Sequence, residues 1–381
     1  MPKTVIHLHR AYLALSETFI YQYLTNLREY HPIMLARFAQ NLSHFPFDNL
    51  YTLSQLPWLP RFWNYATVRL WKQSPYFNQI IQKERPLLLH AHFGTEGVYA
   101  LCTRRTFNLP LITTFYGKDV SQQASEARWQ AGYQHLFSEG TLFLVEGNYM
   151  RRSLIALGCP PKKTRICHIG VDTYKFSFKP RIQPEDNQVC LLMCGRLTEK
   201  KGVEYAIKAI SHLVADYPDI RLRIVGDGPL RAGLESLIQE REVQNQVQIL
   251  GYLSHDAYAQ EMANAHLFLA PSVQAADGDS EGGAPTVLLE AQASGVPVIA
   301  STHADIPEVV GIKEPGYLVP ERNSLALAVR LREMLDNPQR WPELGRICRQ
   351  HVESEYDIRQ VTRVLESIYD EAIQIHERNF G

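Results

Sequence analysis

VCLLMCGRLTEKKGVEYAIKAI, residues 189–210, decides the fold. Its first six residues are apolar and short enough in run to be a strand buried on both faces. A glycine, an arginine and two lysines follow. Apolar residues then return at helical spacing over Val203, Ala206, Ile207 and Ile210. Strand, cationic loop and helix together make one unit of a doubly wound parallel sheet, in which ligands bind beyond the carboxyl ends of the strands.

The unit repeats in both directions. Toward the C-terminus, strands are expected at 221–226 (RLRIVG), 247–250, 266–270 (HLFLA) and 297–301 (PVIAS), with helices at 202–216, 229–240 and 255–264 and another opening near Pro285. Toward the N-terminus, strands are expected at 4–10, 87–92 (LLLHAH), 111–115, 142–146 and 165–169. A helix starts near Thr18, with Ser16 in position to cap it. Between the two series, FSFKPRIQPEDNQ (176–188) is polar, carries two prolines and has no period, so it reads as a linker. From Asp357 onward an amphipathic helix is expected, with Ile358, Val361, Val364, Leu365, Ile368 and Ile373 on its apolar stripe. The fold class is thus α/β, with two Rossmann-like doubly wound domains. A length of 381 residues suits two cores better than one.

Hydrophobic content of 45% and charged content of 21% are those of a globular chain. No run approaches the roughly 18 apolar residues of a membrane span, and MPKTVIHLHR is too polar for a secretory signal. A soluble or membrane-peripheral protein is expected. Cys190 and Cys194 share one face of their strand, as either a metal pair or two small core residues. The second is the expectation, with reduced thiols in the cytoplasm.

The net charge of −1 conceals an asymmetry. Residues 1–180 hold 20 basic and 10 acidic side chains, and the remainder holds 19 and 30. The basic half suits an anionic lipid surface or a phosphate-bearing acceptor, unless its charges are merely solvated. No nucleic-acid partner is expected. LPWLPRFWNYATVRLWKQSPYF (56–77) sets Trp58, Trp63 and Trp71 among Arg61, Arg69 and Lys72. Two readings fit it: an interfacial anchor on a membrane, or a helix packed on the domain core with snorkelling cations.

Arg196 and Lys201, leaving the strand that opened this reading, suit a diphosphate. DGDSEGGAPTVLLEAQASGVPVIAS (277–301) supplies the complement. Gly282 and Gly283 permit close backbone approach, and Pro285 suits the first helical position. The N–H groups of Thr286 and Val287 would then form an anion site. Glu290, about one and a half turns on, is placed to accept from hydroxyl groups of the same ligand, and Glu281 lies just before the glycines. Taken singly, such residues are more often solvated charges or complements to a helix dipole. Asp305 and Glu308 in HADIPEVV have the spacing of a capping box.

GRLTEKKGVEYAIKAI, IVGDGPL, LGYLSHDAYAQEMANAHLFLAPS, EGGAPTVLLEAQASGVPVIAS and HADIPEVV resemble, in that order, the second domain of the retaining glycosyltransferases of family 4. LSETFI (15–20), HAHFG (90–94), TTFYGKDVS (113–121) and ICHIGVDTYKF (166–176) are similar to its first domain, and LSETFI with FYGKDVS looks like the branch that builds exopolysaccharides such as colanic acid. The resemblance implies a GT-B fold with the active site between the domains. Domain one is then 1–178, completed by the helix at about 357–381, and domain two is 179–356. It also implies retaining transfer of a hexose from a UDP- or GDP-linked donor to a glycan or lipid-linked acceptor, with no metal ion and no cofactor. The expected location is cytoplasmic, either free or peripheral at the inner face of the cell membrane.

Residue by residue, the resemblance makes Arg196 and Lys201 the diphosphate pair and Glu290 the ribose ligand. His92 matches the histidine beside the reacting carbon. Ser16, Glu17, Thr18 and Asp119 fall on the acceptor side, and the base lies near the loop after Gly251. The pattern departs twice. Tyr116 stands where the family often has histidine. Eight residues separate Glu281 from Glu290 where the family has seven, so either a bulge at the glycines keeps Glu281 at the sugar, which is the expectation, or that role is lost or moved. Domain closure would exclude water, and the leaving phosphate would take the acceptor proton. An epimerase of the same fold and an inactive nucleotide-sugar-binding subunit are the alternatives.

Overall fold

A computed structural model of the chain describes residues 3–311 and 317–380, and the backbone divides into two units, 1–170 with 358–381, and 171–357. In the first unit the strands are β1 (Lys3–Tyr12), β2 (Tyr30–Ala39), β3 (Leu50–Thr52), β4 (Leu88–His92), β5 (Leu111–Thr114), β6 (Leu142–Val145) and β7 (Thr164–Ile166). They form one parallel sheet in the order β3-β2-β1-β4-β5-β6-β7. Alternation sends successive residues to opposite faces, and both faces are covered. Val5, Leu88, Ile112 and Leu144 pack with Ile358, Val361, Leu365 and Ile368 of the last helix. Ile6, Leu89, Leu111 and Phe143 pack with Leu101, Leu136 and Met150 on the other side.

That last helix, Ile358–Phe380, is also bound by polar contacts. The Glu366 carboxylate accepts from the N–H groups of Arg28 (2.6 Å) and Glu29 (2.7 Å), and Asp370 accepts from Lys3 Nζ (2.8 Å) and Tyr30 Oη (2.7 Å). Val364, expected on its apolar stripe, is exposed instead.

The second unit holds β8 (Cys190–Cys194), β9 (Arg221–Val225), β10 (Val247–Gly251), β11 (Leu267–Ala270), β12 (Val298–Ser301) and β13 (Leu318–Val319), parallel in the order β10-β9-β8-β11-β12-β13. Leu191, Leu192 and Met193 are buried at its centre, with Ala206, Ile207 and Ile210 of the following helix in the same core. Strand order reverses at β1/β4 in one sheet and at β8/β11 in the other, and such switch points are where parallel sheets open for ligands.

Three expectations are corrected. Strands β2 and β3 were missed, because Pro32 interrupts one run and the other is three residues long. Pairing with β3 begins only at Met34, so the proline sits where the outer edge is open. The junction between the units lies at 170/171, not 178/179, since Val171 N–H donates to Tyr356 O (2.8 Å) and Phe176 packs into the second core. Nor is 176–188 a free linker: Arg181 is buried and its guanidinium donates to the carbonyls of Ala263 (2.7 Å), Met262 (3.2 Å) and Ser294 (3.1 Å). Among the described residues no helix is long and apolar enough to cross a membrane.

Candidate active site

At the carboxyl end of β8 the chain makes a tight contact with the end of β9. Gly226 has φ +131°, and a Cβ there would stand 2.0 Å from Gly195 O. Only glycine lets the two loops meet. Leu197 N–H donates to Asp227 O (2.9 Å), and Arg196 is left exposed, with no ion-pair partner among the described residues. A single 3-10 turn, Glu199–Lys201, ends at Gly202. Its φ is +63°, and its missing Cβ would lie 1.9 Å from Pro271 O, beyond β11. The KKG turn is thereby fixed at the switch point of the sheet.

Both lysines of that turn reach the 277–283 segment. Lys200 Nζ meets Asp279 Oδ1 (3.1 Å) and Ser280 O (3.0 Å). Lys201 Nζ lies 2.9 Å from the Glu281 carboxylate, which also accepts from Ser272 Oγ (2.8 Å). Burial alone would push the Glu281 carboxyl up, but Lys201 and Lys200 outweigh it and hold the group below its ordinary value. The segment is held from beneath as well. Glu281 N–H donates to His303 Nε2 (3.2 Å), so the imidazole proton sits on Nδ1 and goes to Glu321 (2.7 Å). Gly282, at φ +78°, turns the chain between Glu281 and the next helix.

That helix is Thr286–Ala293, with Pro285 at its N-cap and not at the expected first helical position. The N–H groups of Thr286 and Val287 have no hydrogen-bond partner among the described residues, whereas Leu288 N–H already returns to Pro285 O (3.0 Å). Glu290 accepts from Tyr258 Oη at 2.5 Å, and burial raises its carboxyl against that bond. Arg196, Lys201, Glu281, Gly282, Gly283, Thr286, Val287 and Glu290 therefore all belong to one unit.

In the first unit, His7 and His9 on β1 and His90 and His92 on β4 share the sheet face that the last helix covers. His92 is fully buried. Its Nε2 lies 2.9 Å from His7 Nδ1 and its Nδ1 lies 2.7 Å from Tyr116 Oη, so Tyr116, the departure from the family pattern, holds the histidine. His90 is bonded to Tyr369 Oη and Thr114 Oγ1, both at 2.7 Å. Desolvation lowers all three imidazoles, His7 to about 3, and keeps them neutral. Among the described residues these three are the one group of His, Cys, Asp and Glu close enough to share a metal ion, and hydrogen bonds already occupy both nitrogens of His90 and His92. Cys190 and Cys194 are free, half-buried thiols outside that group.

The acceptor-side residues separate. Glu17, not Ser16, takes the N-cap of helix Thr18–Asn26, with no side-chain cap bond, while Ser16 is exposed. Glu17 accepts from Ala14 N–H (2.8 Å) and pairs with His9 Nε2 (3.2 Å), and Thr18 begins the helix beside it. Asp119 faces inward with no exposed surface. It accepts from the N–H groups of Gly94 (2.9 Å), Tyr116 and Gly117 (both 3.0 Å), and burial still carries its carboxyl up to about 6. It tethers the 116–119 turn to the start of helix Gly94–Phe107.

Sequence reasoning missed Lys200, Tyr258, Ser272, His303 and Glu321. Of these, Lys200 in the EKKG turn and His303 in HADIPEVV carried a signal, and HADIPEVV was read as a capping box instead. No such box forms: Asp305 is at the N-cap of helix Ile306–Val309 without a side-chain cap bond, since its φ of −89° and ψ of 5° do not turn the side chain back over the first turn.

Residues 16–175 match the family model described as Glycosyltransferase Family 4, and residues 175–351 match the model described as Glycosyl transferases group 1. WcaL of Escherichia coli K12, named for colanic acid biosynthesis, is 36% identical over 283 residues, which is 73% of this chain and 69% of WcaL. AmsK of Erwinia amylovora, named an amylovoran biosynthesis glycosyltransferase, is 32% identical with the same coverage of each chain. Among solved structures, Anabaena HepE in complex with UDP and glucose superposes with a TM-score of 0.77 over 97% of this chain and 100% of its own, at 16% identity. At that identity the likeness speaks for the fold.

Proposed function

Since this chain belongs to glycosyltransferase family 4 and has its two-sheet GT-B fold, we propose that it moves a hexose from a UDP- or GDP-linked donor to a glycan or lipid-linked acceptor, with retention and without a metal ion, in building an exopolysaccharide. The observation that carries this reading is the meeting of Lys201 with Glu281, on the segment that leads into a helix whose first N–H groups are unpaired among the described residues. A diphosphate leaving group gains negative charge as its bond to the sugar breaks. Arg196, Lys201 and the N–H groups of Thr286 and Val287 supply the compensating charge. Glu290, oriented by Tyr258, accepts from the ribose, and Glu281, paired with the cationic turn, faces the sugar. The first unit takes the acceptor near Ser16, Glu17 and Thr18, at the surface of an anionic membrane. The names of WcaL and AmsK support the exopolysaccharide assignment.

In the reaction the C1–O bond to the diphosphate breaks and the acceptor oxygen bonds C1 on the same face. The acceptor proton passes to the leaving phosphate oxygen, giving a glycoside and a nucleoside diphosphate. Glu281 is ion-paired and Glu290 is committed to Tyr258, which agrees with a reaction that needs no dedicated carboxylate base.

The test is a thermal-shift series with UDP, GDP and their hexose conjugates, with and without chelator. A ligand that binds only the folded state raises the melting temperature. One conjugate should stabilise the protein equally with and without chelator, and Arg196→Ala should remove most of that shift. Full transfer activity in Arg196→Ala, or turnover abolished by chelation, would overturn the reading.

A further inference from the structure

Helix Trp58–Trp71 is turned inside out. At 100° per residue, Trp58, Leu59, Phe62, Trp63 and Leu70 fall within one arc of roughly 140°. That arc faces outward: the five are 72%, 59%, 68%, 57% and 69% exposed. The buried face carries Asn64, Thr67 and Val68.

The inward polar pair is fully engaged. Asn64 Oδ1 accepts from Ser74 Oγ (2.7 Å) and Tyr76 N–H (3.0 Å), Asn64 Nδ2 donates to Pro60 O (2.9 Å), and Thr67 Oγ1 donates to Asn64 O (2.9 Å). This network fixes the rotation of the helix, so rolling the aromatic face inward would strand those groups without partners. Trp71, 58% exposed, extends the patch; its ring lies 6.5 Å from that of Trp63.

Charge selects the occupant. Residues 49–82 hold Arg61, Arg69 and Lys72 and no acidic residue, and the next cation, Lys83, pairs with Glu84 (3.1 Å). A second copy would bring cations against cations. A bilayer interface takes tryptophans at headgroup depth, aliphatic side chains below them and long cations reaching lipid phosphates. We propose that this face lies in the headgroup region of an anionic membrane, seated by Trp58, Phe62, Trp63 and Leu70 and held electrostatically by Arg61, Arg69 and Lys72. The inference deepens the membrane part of the reading above and rests on it. The experiment reads binding and not turnover, so the two can fail separately.

The full chain is mixed with phosphatidylcholine vesicles, with and without about 30 mol% phosphatidylglycerol, and followed by co-sedimentation and tryptophan emission. At ~0.1 M salt the wild type should pellet with the anionic vesicles and shift its emission to the blue, and at ~0.5 M partitioning should fall about tenfold. Trp58→Ser with Phe62→Ser should lower partitioning about tenfold with an unchanged melting temperature, because both side chains are exposed. Arg69→Glu with Lys72→Glu should remove the preference for anionic lipid. The proposal is overturned if the wild type stays in the supernatant at low salt, if neutral and anionic vesicles bind equally, or if the Trp58/Phe62 variant binds as the wild type does. It is also overturned if that variant instead converts a dimer to a monomer, which would give the face to a second copy. Stabilisation by nucleotide, measured on the same samples, reports on the donor site alone.

Discussion

The phenol of Tyr258 donates to Glu290 at 2.5 Å and so joins helix His255–Asn264 to helix Thr286–Ala293. Burial raises the Glu290 carboxyl, and this bond pulls it back toward the ionised form. Under the proposed function this carboxylate accepts from ribose hydroxyls, and a residue 32 positions away aims it and favours its ionised form.

Tyr258→Phe should therefore raise the Glu290 carboxyl further. A carboxyl raised in the folded state makes stability fall as pH climbs from about 4.5 through the folded value, because the unfolded chain ionises first. The variant's deficit, of order 1–3 kcal/mol, should be larger at pH 7.5 than at pH 5 in urea unfolding. A deficit equal at both pH values would show that the bond does not act on the carboxylate.

Lys201→Met should have the same pH sense for a different reason. In the wild type, Glu281 is held below its ordinary value, so its contribution is present above about 4.5 and is lost as pH falls through the lowered value. Without the lysine, desolvation dominates. The variant should then be least stable relative to wild type at neutral pH and converge with it in acid. kcat/KM should fall about 10²–10³-fold if Lys201 meets the leaving group. Adding Glu281→Gln should recover stability but not rate, since no uncompensated charge then remains buried. Recovery of both would remove Lys201 from the chemistry.

The sequence carried the β–loop–α periodicity and the residues that leave strand ends, which is why Arg196, Lys201, Glu281 and Glu290 were within reach of reading. Tyr258, Ser272 and Glu321 were not, because each acts through a contact between distant segments that leaves no local pattern. Helix Trp58–Trp71 shows a different limit. Its periodicity reveals an apolar face but not which way it points, and the Asn64–Ser74–Tyr76 network, invisible to periodicity, turns it outward. Strand β2 was obscured by Pro32, which a strand tolerates only where pairing is incomplete.

His7, His90 and His92 should make the protein sensitive to mild acid. All three are lowered by desolvation, so below about pH 6.5 the unfolded chain takes up protons that the folded chain refuses. Each costs up to about 1.4 kcal/mol per pH unit once the unfolded histidine is fully protonated. Asp119 opposes them: raised to about 6, it takes its proton in the folded state first and stabilises as pH falls from there. Three groups against one leave a net loss near pH 5, of roughly 2–3 kcal/mol per unit before other carboxylates are counted. Urea midpoints from pH 7.5 to 5 should show it, and His7→Gln should lessen the slope by about one proton. A flat profile would mean that these imidazoles are not held neutral.

Gly226→Ala tests whether the contact between the loops after β8 and β9 positions the diphosphate cations. At φ +131°, and with its new Cβ only 2.0 Å from Gly195 O, alanine must push apart the loops that carry Arg196. The strain should cost about 2–4 kcal/mol. Gly233, on helix Arg231–Glu240 with nothing within 4 Å of its added Cβ, is the control, and alanine there should be neutral or stabilising by about 0.5–1 kcal/mol. If strain alone were at issue, Gly226→Ala would melt earlier yet bind nucleoside diphosphate normally at a temperature where it is folded. If the contact positions Arg196, affinity should drop there as well, by about tenfold, since a displaced guanidinium loses its forked grip on phosphate. Unchanged affinity in a folded Gly226→Ala protein would leave this contact a role in stability only.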